Sequence, residues 1–428
     1  MQNQYFLLFT VSVFLLFGCK TNEETAQKIP NIVYILADDM GYGDISYLNK
    51  KSKIPTPNLD RIAREGMYFS DAHSGSAVCT PTRYGILTGR YAFRTKLKRG
   101  VLVGYDSSLI APDRFTVGHL LKQAGYQTAC VGKWHLGLDW AKKDAEKPLL
   151  TGSQWDNPNT ENVDYSAAIG GGPTDRGFDY GYIIPSSLDI APYCYIENKN
   201  LTKPIVGKIE GQSKIRGVFW RTADIQQDFK LEETLGHLTQ KSVEYIQKSN
   251  SENPFFLYFP LTAPHTPWLP VDSVRGKSEA GTYGDFVVEV DNAVGKILKV
   301  LDEKNISENT LLIFTSDNGS HWMKSDIDSF EHHANYIFSG MKSDVWEGGH
   351  RIPFLVRWPE KIKPGTTSKE VICLTDLTAT CAKITNQNLP ENAAEDSYNI
   401  LPALLNEDFE SPIRDHTIHH SISGKFAV

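Results

Sequence analysis

The stretch Asn31-Ile32-Val33-Tyr34-Ile35-Leu36-Ala37, followed at once by Asp38-Asp39, decides the fold class. It is a continuous run of β-forming residues without polar alternation, which is typical of a strand that is buried on both faces. Similar runs occur at residues 128–131, 255–260, 311–315 and 352–358. The sequence therefore predicts a sheet that is covered on both sides.

Helical patterns lie between these runs. Thr56 and Pro57 begin one at residues 57–65 and Gly66 ends it, and three more span 117–124, 232–247 and 286–303. Alternating strands and helices predict an α/β fold, in which helices sandwich a large and mostly parallel sheet. Ligands of such folds lie beyond the carboxyl ends of the strands. Residues 139–217 are weakly periodic, and we expect long loops there, over the active face.

Size and charge set limits on the function. The chain has 428 residues, a formal net charge of −7 and 40% hydrophobic residues, which allows one large domain and a smaller one. The mild acidity argues against nucleic acid as a partner. After residue 20, no hydrophobic run is long enough to cross a bilayer.

The N-terminus predicts export. Residues 5–17 form an apolar run of signal-peptide length, and Leu16-Phe17-Gly18-Cys19 resembles a bacterial lipobox. We therefore expect a lipoprotein signal peptide at 1–19, lipidation of Cys19 and a polar tether at 20–29. The lipid would be the only membrane contact, in the periplasm or at the cell surface. Residues 1–4 lack the usual Lys or Arg, and plain secretion is the alternative.

Two predicted strands end in acidic residues. Asp38 and Asp39 follow the first run, and Asp317 and Asn318 follow the run at 311–315. Parallel strands bring these ends to one edge of the sheet, where three carboxylates would repel one another unless a cation lay between them. Hard oxygen donors favour Ca²⁺ or Mg²⁺ over zinc. The alternative is that these residues are turn and cap residues.

Cys79 lies just before a predicted helix, because Pro81 suits a first turn. A helix N-terminus favours an anion, and Arg83 lies one turn further on, which together indicate a nucleophile beside an anion site. The alternative is a buried structural cysteine. The pairs His332-His333 and His419-His420 have no third ligand at suitable spacing, so we do not expect them to bind a metal.

Five motifs in order carry a family resemblance. Cys79-Thr80-Pro81-Thr82-Arg83 resembles the C-x-P-x-R core of the type I, formylglycine-dependent sulfatases of the alkaline-phosphatase superfamily, and Leu87-Thr88-Gly89-Arg90 extends it. Gly132-Lys133-Trp134-His135-Leu136-Gly137 resembles the second sulfatase signature. The remaining motifs are Thr262-Ala263-Pro264-His265, Ser316-Asp317-Asn318-Gly319, and Lys342 with Trp346-Glu347-Gly348-Gly349. The chain is similar to bacterial arylsulfatase-like and polysaccharide sulfatases.

The resemblance implies a role for each matching residue. A maturation enzyme would oxidise Cys79 to formylglycine, and Asp38, Asp39, Asp317, Asn318 and the modified residue 79 would bind Ca²⁺, with Mg²⁺ as the second choice. Arg83 matches the residue that steadies the hydrated formylglycine. Lys133 and Lys342 match lysines that hold the sulfate, and Ser187 matches a sulfate-binding serine. His135 and His265 match the histidines at the nucleophile and at the leaving oxygen.

The reaction implied by the resemblance uses a geminal diol at position 79. One diol oxygen attacks sulfur, and His265 or Lys342 protonates the departing alcohol. The second hydroxyl then loses its proton to His135, sulfate leaves and the aldehyde returns. An ordinary serine or cysteine lacks that second hydroxyl, which explains the need for the modification.

The expected organisation is a catalytic domain at 30–370 and a partial C-terminal subdomain at 371–428, since the chain stops where a relative would enter a small antiparallel sheet. We expect hydrolysis of a sulfate ester, with a sulfated carbohydrate as substrate. The alternatives are a phosphonate or phosphodiester hydrolase of the same superfamily, and a glycan-binding lipoprotein with an idle site.

Overall fold

A large β-sheet forms the centre of the protein in the computed structural model, which describes residues 29–250, 252–407 and 411–428. The strands are β1 (Asn31–Asp38), β2 (Met67–Phe69), β3 (Ala72–His73), β4 (Gln127–Lys133), β5 (Tyr180–Ile184), β6 (Ile196–Glu197), β7 (Asn200–Leu201), β8 (Ile205–Ile209), β9 (Gln212–Ile215), β10 (Val218–Trp220), β11 (Ala223–Gln226), β12 (Phe255–Pro264), β13 (Thr310–Ser316), β14 (Phe354–Arg357), β15 (Thr366–Ser368), β16 (Ile372–Cys373), β17 (His419–His420) and β18 (Phe426–Ala427). The α-helices are α1 (Pro57–Glu65), α2 (Cys79–Thr88), α3 (Val117–Gln123), α4 (Thr234–Lys248), α5 (Gly281–Glu303), α6 (Lys324–Phe330), α7 (Glu347–His350), α8 (Leu377–Ile384) and α9 (Leu401–Leu404).

The sheet has the strand order β15-β2-β14-β13-β1-β12-β4-β5-β6-β7 among the described residues. Its central strands, β13, β1, β12, β4 and β5, are parallel. The predicted run at 352–358 forms β14, which is antiparallel to β13. The predicted fold class, an α/β sandwich around a mostly parallel sheet, is confirmed.

Strand β1 is the middle of the core. Ile32 and Leu36 have no exposed surface, and the residues between them are at most 1% exposed. Helices α1, α4 and α5 pack against one another and on this sheet, and α2, α3 and α8 form a second packed group. Burial of each large apolar side chain contributes about 1.5–3 kcal/mol. A strand that is covered on both faces has no polar face, which explains the unbroken run in the sequence.

The register of β1 aligns the strand ends. Ala37 pairs with Ser316 of β13, and Asp38 pairs with Pro264 of β12. The residues that follow these strands therefore emerge together at the carboxyl edge of the sheet. This is the edge at which ligands of parallel α/β sheets bind.

The segment at 139–217 is more ordered than the sequence predicted. It contains β5, which pairs with β4 inside the main sheet, and the short strands β6 to β9. Gly181 interrupts β5, and glycine is depleted in strands, so the periodic signal was weak. The expectation of loops alone was wrong for these residues.

The segment after residue 370 packs on the main body. Strand β16 pairs with β3, and α8 packs against α2 and α3. The division of the chain into 30–370 and 371–428 stays a prediction. Cys19, the signal peptide and nearly all of the tether lie outside the described residues. Within the described ranges, no helix combines the length and the apolar character needed to cross a membrane.

Arg414 fastens the C-terminal segment to the body, and this contact makes a stability prediction. Its Nη2 donates to Asp376 Oδ1 at 2.7 Å, and both side chains are almost completely buried. Arg414→Met would leave the Asp376 carboxylate unpaired, and we expect the free energy of unfolding to fall by about 3–5 kcal/mol. Chemical denaturation measures this.

The control is Lys203→Met, which removes an exposed ion pair with Asp228. We expect that variant to lose less than about 1 kcal/mol. If Arg414→Met had the same free energy of unfolding as the control, the ion pair with Asp376 would not stabilise the fold as predicted.

Candidate active site

The acidic residues predicted at two strand ends lie in contact. The Asp39 backbone N–H donates to Asp317 Oδ1 at 3.2 Å, and Asn318 Nδ2 donates to Asp39 Oδ1 at 2.7 Å. All four side chains of Asp38, Asp39, Asp317 and Asn318 are buried. The register of β1 against β13 produces this meeting, because both pairs leave their strands at the same level.

Three cationic side chains bind these carboxylates. Lys133, at the end of β4, places Nζ at 2.7 and 2.9 Å from the two oxygens of Asp38. Arg83, on α2, donates from Nε and Nη2 to Asp317 Oδ2 at 2.9 and 2.7 Å. Lys342 Nζ lies 2.6 Å from Asp39 Oδ2. Each predicted cation therefore has a carboxylate partner.

The ion pairs keep these groups charged. Burial raises the pKa of Asp38, but the charges of Lys133, His265 and Arg83 together lower it by a larger amount. The pKa of Asp38 therefore lies below its ordinary value. Burial lowers the pKa of Lys342, and the Asp39 carboxylate reverses this, so its pKa lies above the ordinary value. Asp38 and Lys342 are therefore ionised at neutral pH. Asp317 differs from them, because burial raises its pKa to about 7 and the charge of Arg83 offsets this only in part.

The residues fit a divalent cation, for a different reason from the one predicted. Mutual repulsion of the carboxylates does not require an ion, because Arg83, Lys133 and Lys342 already offset it. The stronger observation is Asn318 Oδ1, a buried amide oxygen without a hydrogen-bond partner among the described residues. An oxygen of this kind, beside three carboxylates, is the hard donor set that Ca²⁺ and Mg²⁺ prefer.

Cys79 is the first residue of α2 and is 2% exposed. Burial raises the pKa of its thiol to about 11, and Lys133 and Lys342 offset this only in part. The unmodified thiol is therefore protonated at neutral pH. The position at a helix N-terminus therefore does not lower the pKa of this thiol, because desolvation has the larger effect.

All five cysteines of the described residues are free and buried, namely Cys79, Cys130, Cys194, Cys373 and Cys381. The export predicted from the N-terminus permits disulfides, but these residues form none.

His135 has a buried ring nitrogen with an unpaired lone pair. Its Nε2–H donates to the Leu102 carbonyl at 2.8 Å, so Nδ1 is the acceptor nitrogen. That Nδ1 has no partner among the described residues. Burial, followed by the charge of Lys133, lowers the pKa of His135 well below its ordinary value. The ring is thus neutral and has a free acceptor.

His265 follows β12 and points its other nitrogen at the acidic cluster. Nδ1–H donates to the Thr266 carbonyl at 2.6 Å, which leaves Nε2 at 3.6 Å from Asp39 Oδ2. Ligand atoms of Asp38, Asp39 and His265 lie within 4.8 Å of one another. The structure therefore brings His265 to the same cluster as the strand-end carboxylates.

Ser187 has a different partner from the one that we expected. Its hydroxyl donates to Asp189 Oδ1 at 2.5 Å. A sulfate oxygen accepts hydrogen bonds only, so Ser187 could donate to sulfate only after giving up Asp189. The neighbouring Ser186 hydroxyl is buried and has no partner among the described residues. Sulfate binding by Ser187 stays a prediction.

Sequence reasoning missed three polar residues near the site. Asp189 and Arg221 form an ion pair of 2.9 Å beside His265, and no local motif marks either residue. His321 is half-buried, and burial lowers its pKa, with Asp39 acting in the opposite direction. Its position two residues after Gly319 of a recognised motif was the available signal.

A histidine cluster also forms away from this site. His73 and His350 approach through their Nδ1 atoms at 3.0 Å, and the rings of His350 and His419 stack at 3.7 Å with an angle of 2°. Distant segments supply these histidines, so spacing along the chain could not reveal them. Parallel stacked rings cannot both direct a nitrogen at one ion, so this arrangement is a packing contact. His332, from the other histidine pair of the sequence, has a separate partner, since its Nε2 lies 2.8 Å from Asp44 Oδ1.

Comparisons with known proteins agree on one family. The family model "Sulfatase" matches residues 30–387. The N-acetylgalactosamine-6-O-sulfatase of Bacteroides thetaiotaomicron is 33% identical over 97% of this chain and 84% of its own length. The human steryl-sulfatase is 32% identical over 91% of this chain and 72% of its own.

A solved structure gives the same result. It comes from work on the metabolism of multiple glycosaminoglycans by Bacteroides thetaiotaomicron, and it superposes with a TM-score of 0.80 and 31% identity. The match covers 93% of this chain and 85% of the other. Members of the matching family generally use a formylglycine and a divalent metal ion. This chain belongs to the type I sulfatase family of the alkaline-phosphatase-like superfamily, and it is a sulfuric ester hydrolase.

Proposed function

We propose that this sulfatase cleaves a sulfate ester on a sulfated carbohydrate, with formylglycine made from Cys79 and with Ca²⁺ bound by Asp38, Asp39, Asp317 and Asn318. The observation that carries the proposal is the convergence of Cys79, these oxygen donors and three cationic side chains at one edge of the sheet. The names of the relatives support the substrate class, since one is a sulfatase of N-acetylgalactosamine.

The charge of the cluster suits an anionic substrate. When all three carboxyl groups are ionised, Asp38, Asp39 and Asp317 are balanced by Arg83, Lys133 and Lys342, so the side chains carry no net negative charge. A bound divalent cation makes the cluster dicationic. A sulfate ester carries one negative charge that spreads during transfer, and fixed cations in a buried site stabilise it strongly. Lys133 and Lys342 are the residues that we assign to its oxygens.

The two groups made or bound at the site have distinct tasks. Formylglycine supplies, as its hydrate, an oxygen nucleophile that a cysteine thiol cannot replace, and Ca²⁺ supplies Lewis acidity and orientation. Ca²⁺ is favoured over Mg²⁺ because it accepts more oxygen ligands in a flexible arrangement. Arg83 holds Asp317 through two hydrogen bonds and keeps that ligand in position.

The histidines divide the proton transfers. His265 Nε2 lies 3.6 Å from Asp39 Oδ2, and the imidazolium form of this histidine, with a proton on each nitrogen, can protonate the departing alcohol oxygen. Lys342 is the second candidate for this step. His135 offers a neutral Nδ1 acceptor deep in the site, which suits the proton released when the nucleophile is regenerated.

Export and anchoring complete the proposal. We infer a lipid anchor on Cys19 and a location in the periplasm or at the cell surface, because residues 5–19 have the pattern of a lipoprotein signal. A formylglycine-generating enzyme is the implied maturation partner, since the C-x-P-x-R motif surrounds Cys79. We propose no nucleic acid partner and no membrane contact other than the lipid.

Maturation is the first test. We expect protein co-expressed with a formylglycine-generating enzyme to show the mass change of thiol to aldehyde at Cys79 and to hydrolyse 4-nitrophenyl sulfate and N-acetylgalactosamine 6-sulfate. Cys79→Ser should reduce turnover by a factor on the order of 10³ or more, because the nucleophile is absent. Intact mass and sulfate release are the measurements.

Three results would contradict this proposal. Equal turnover by converted protein and Cys79→Ser would remove the role of formylglycine. Faster cleavage of phosphonate or phosphodiester substrates assayed in parallel would favour the alternative hydrolase. Conversion at Cys79 without any turnover would favour a glycan-binding protein.

Metal binding is the second test. We expect a chelator to lower both the melting temperature and the activity, and Ca²⁺ to restore them better than Mg²⁺. A ligand at 100 times its Kd stabilises the folded state by about 2.7 kcal/mol. Asn318→Ala should weaken Ca²⁺ binding in titration calorimetry, because it removes an oxygen donor. Gln240→Ala, on the exposed surface of α4, is the control. Equal calcium affinity of both variants would contradict the assigned ligand set.

A further inference from the structure

An ion pair that the proposed reaction does not use lies next to His265. Arg221 Nη1 donates to Asp189 Oδ2 at 2.9 Å and to the Asp189 carbonyl at 2.7 Å. The other carboxylate oxygen of Asp189 accepts the Ser187 hydroxyl and lies 3.9 Å from His265 Nδ1. Since that nitrogen already donates to Thr266, Asp189 does not orient the histidine by a hydrogen bond.

The pair lies on the outer side of the site. The exposed fraction of the side chain rises along one line of contacts, from 0% at Asp38 through 6% at Asp39, 8% at His265 and 12% at Asp189 to 20% at Arg221. The sulfate is assigned to the buried end of this line, and His265 is assigned to the leaving oxygen. We therefore assign the leaving group to the more exposed end of this line, beside Asp189 and Arg221.

Arg221 is held rigidly and still has hydrogen atoms to donate. Its guanidinium carbon lies 4.7 Å from the Phe219 ring centre and 5.1 Å from that of Trp155, and its backbone N–H donates to the Tyr193 hydroxyl. Its Nε–H and Nη2 groups donate to no other residue in the described ranges. Trp155 is 43% exposed and presents an apolar ring beside the pair.

The chemistry of this pair matches a sugar. A ring hydroxyl both donates and accepts, and a carboxylate beside a guanidinium offers an acceptor and fixed donors at once. Asp189 keeps lone pairs that are not used by Ser187 or Arg221, because a carboxylate accepts about four hydrogen bonds. An aryl or alkyl leaving group without hydroxyls would offer no partner to the free donors of Arg221 and the free lone pairs of Asp189, which disfavours it relative to a sugar.

We propose that Asp189 and Arg221 bind hydroxyl groups of the sugar unit that carries the sulfate, and so make this sulfatase selective for carbohydrate over hydroxyl-free esters. This inference rests on the proposed function and names the residues that select its substrate. Ser187 acts through Asp189 as a positioning residue, since its hydrogen bond fixes the carboxylate.

The test uses the matured enzyme and two substrates, N-acetylgalactosamine 6-sulfate and 4-nitrophenyl sulfate, which has no hydroxyl group. The readout is the ratio of kcat/KM for the sugar to kcat/KM for the aryl ester. We expect Asp189→Asn and Arg221→Lys to lower this ratio on the order of 10- to 100-fold, because each loses a hydrogen bond to a charged group. Asp228→Asn, in the exposed pair with Lys203, should keep the wild-type ratio.

A binding measurement separates selectivity from catalysis. In the Cys79→Ser background, we expect calorimetry to show weaker binding of N-acetylgalactosamine 6-sulfate when Asp189→Asn is added, and the melting temperature shows that the variant is folded at the temperature of the measurement. Unchanged ratios in both variants, or an equal loss on both substrates, would overturn the inference. Wild-type enzyme that hydrolyses only the aryl ester would overturn it too and leave the sulfatase activity in place. Wild-type enzyme that hydrolyses neither would overturn the proposed function together with it.

Discussion

The parallel pairing of β1 with β13 is the constraint on which the site depends. It sets Ala37 opposite Ser316, so that the residues after each strand emerge side by side. Asp39 and Asp317 then touch through a backbone hydrogen bond of 3.2 Å. A shift of one residue in this register would turn every side chain of β1 to the other face and would separate the two acidic pairs. The fold and the chemistry therefore rest on the same set of strand hydrogen bonds.

The buried ion pairs at this edge contribute little to the stability of the fold. Replacing a buried ion pair by apolar residues is often neutral or stabilising, because desolvation offsets the attraction. Here Arg83, Lys133 and Lys342 each meet a buried carboxylate. We therefore explain this cluster of paired charges by function. It can bind a divalent cation. The balanced cluster then becomes a strongly positive site for a sulfate group.

The sequence indicated the fold and the matching motifs well, for a physical reason. Strand β1 is covered on both faces, so burial appears as an unbroken apolar run, and the motif residues lie within short segments. Asp189 and Arg221 lie in irregular segments without periodicity, and their meeting depends on the tertiary fold. The thiol of Cys79 shows a different limit. Its helix position was foreseen, but the extent of its burial, which dominates its pKa, is set by contacts with distant segments.

A crystal structure of the matured enzyme grown with Ca²⁺, with anomalous scattering recorded, tests whether the strand-end oxygens bind calcium. We predict a single anomalous peak with oxygens of Asp38, Asp39, Asp317 and Asn318 at about 2.3–2.6 Å. An oxygen of the converted residue 79 should lie beside it. A structure without such a peak, in which Lys133 and Lys342 still occupy the carboxylates and Asn318 Oδ1 faces only protein, would contradict it.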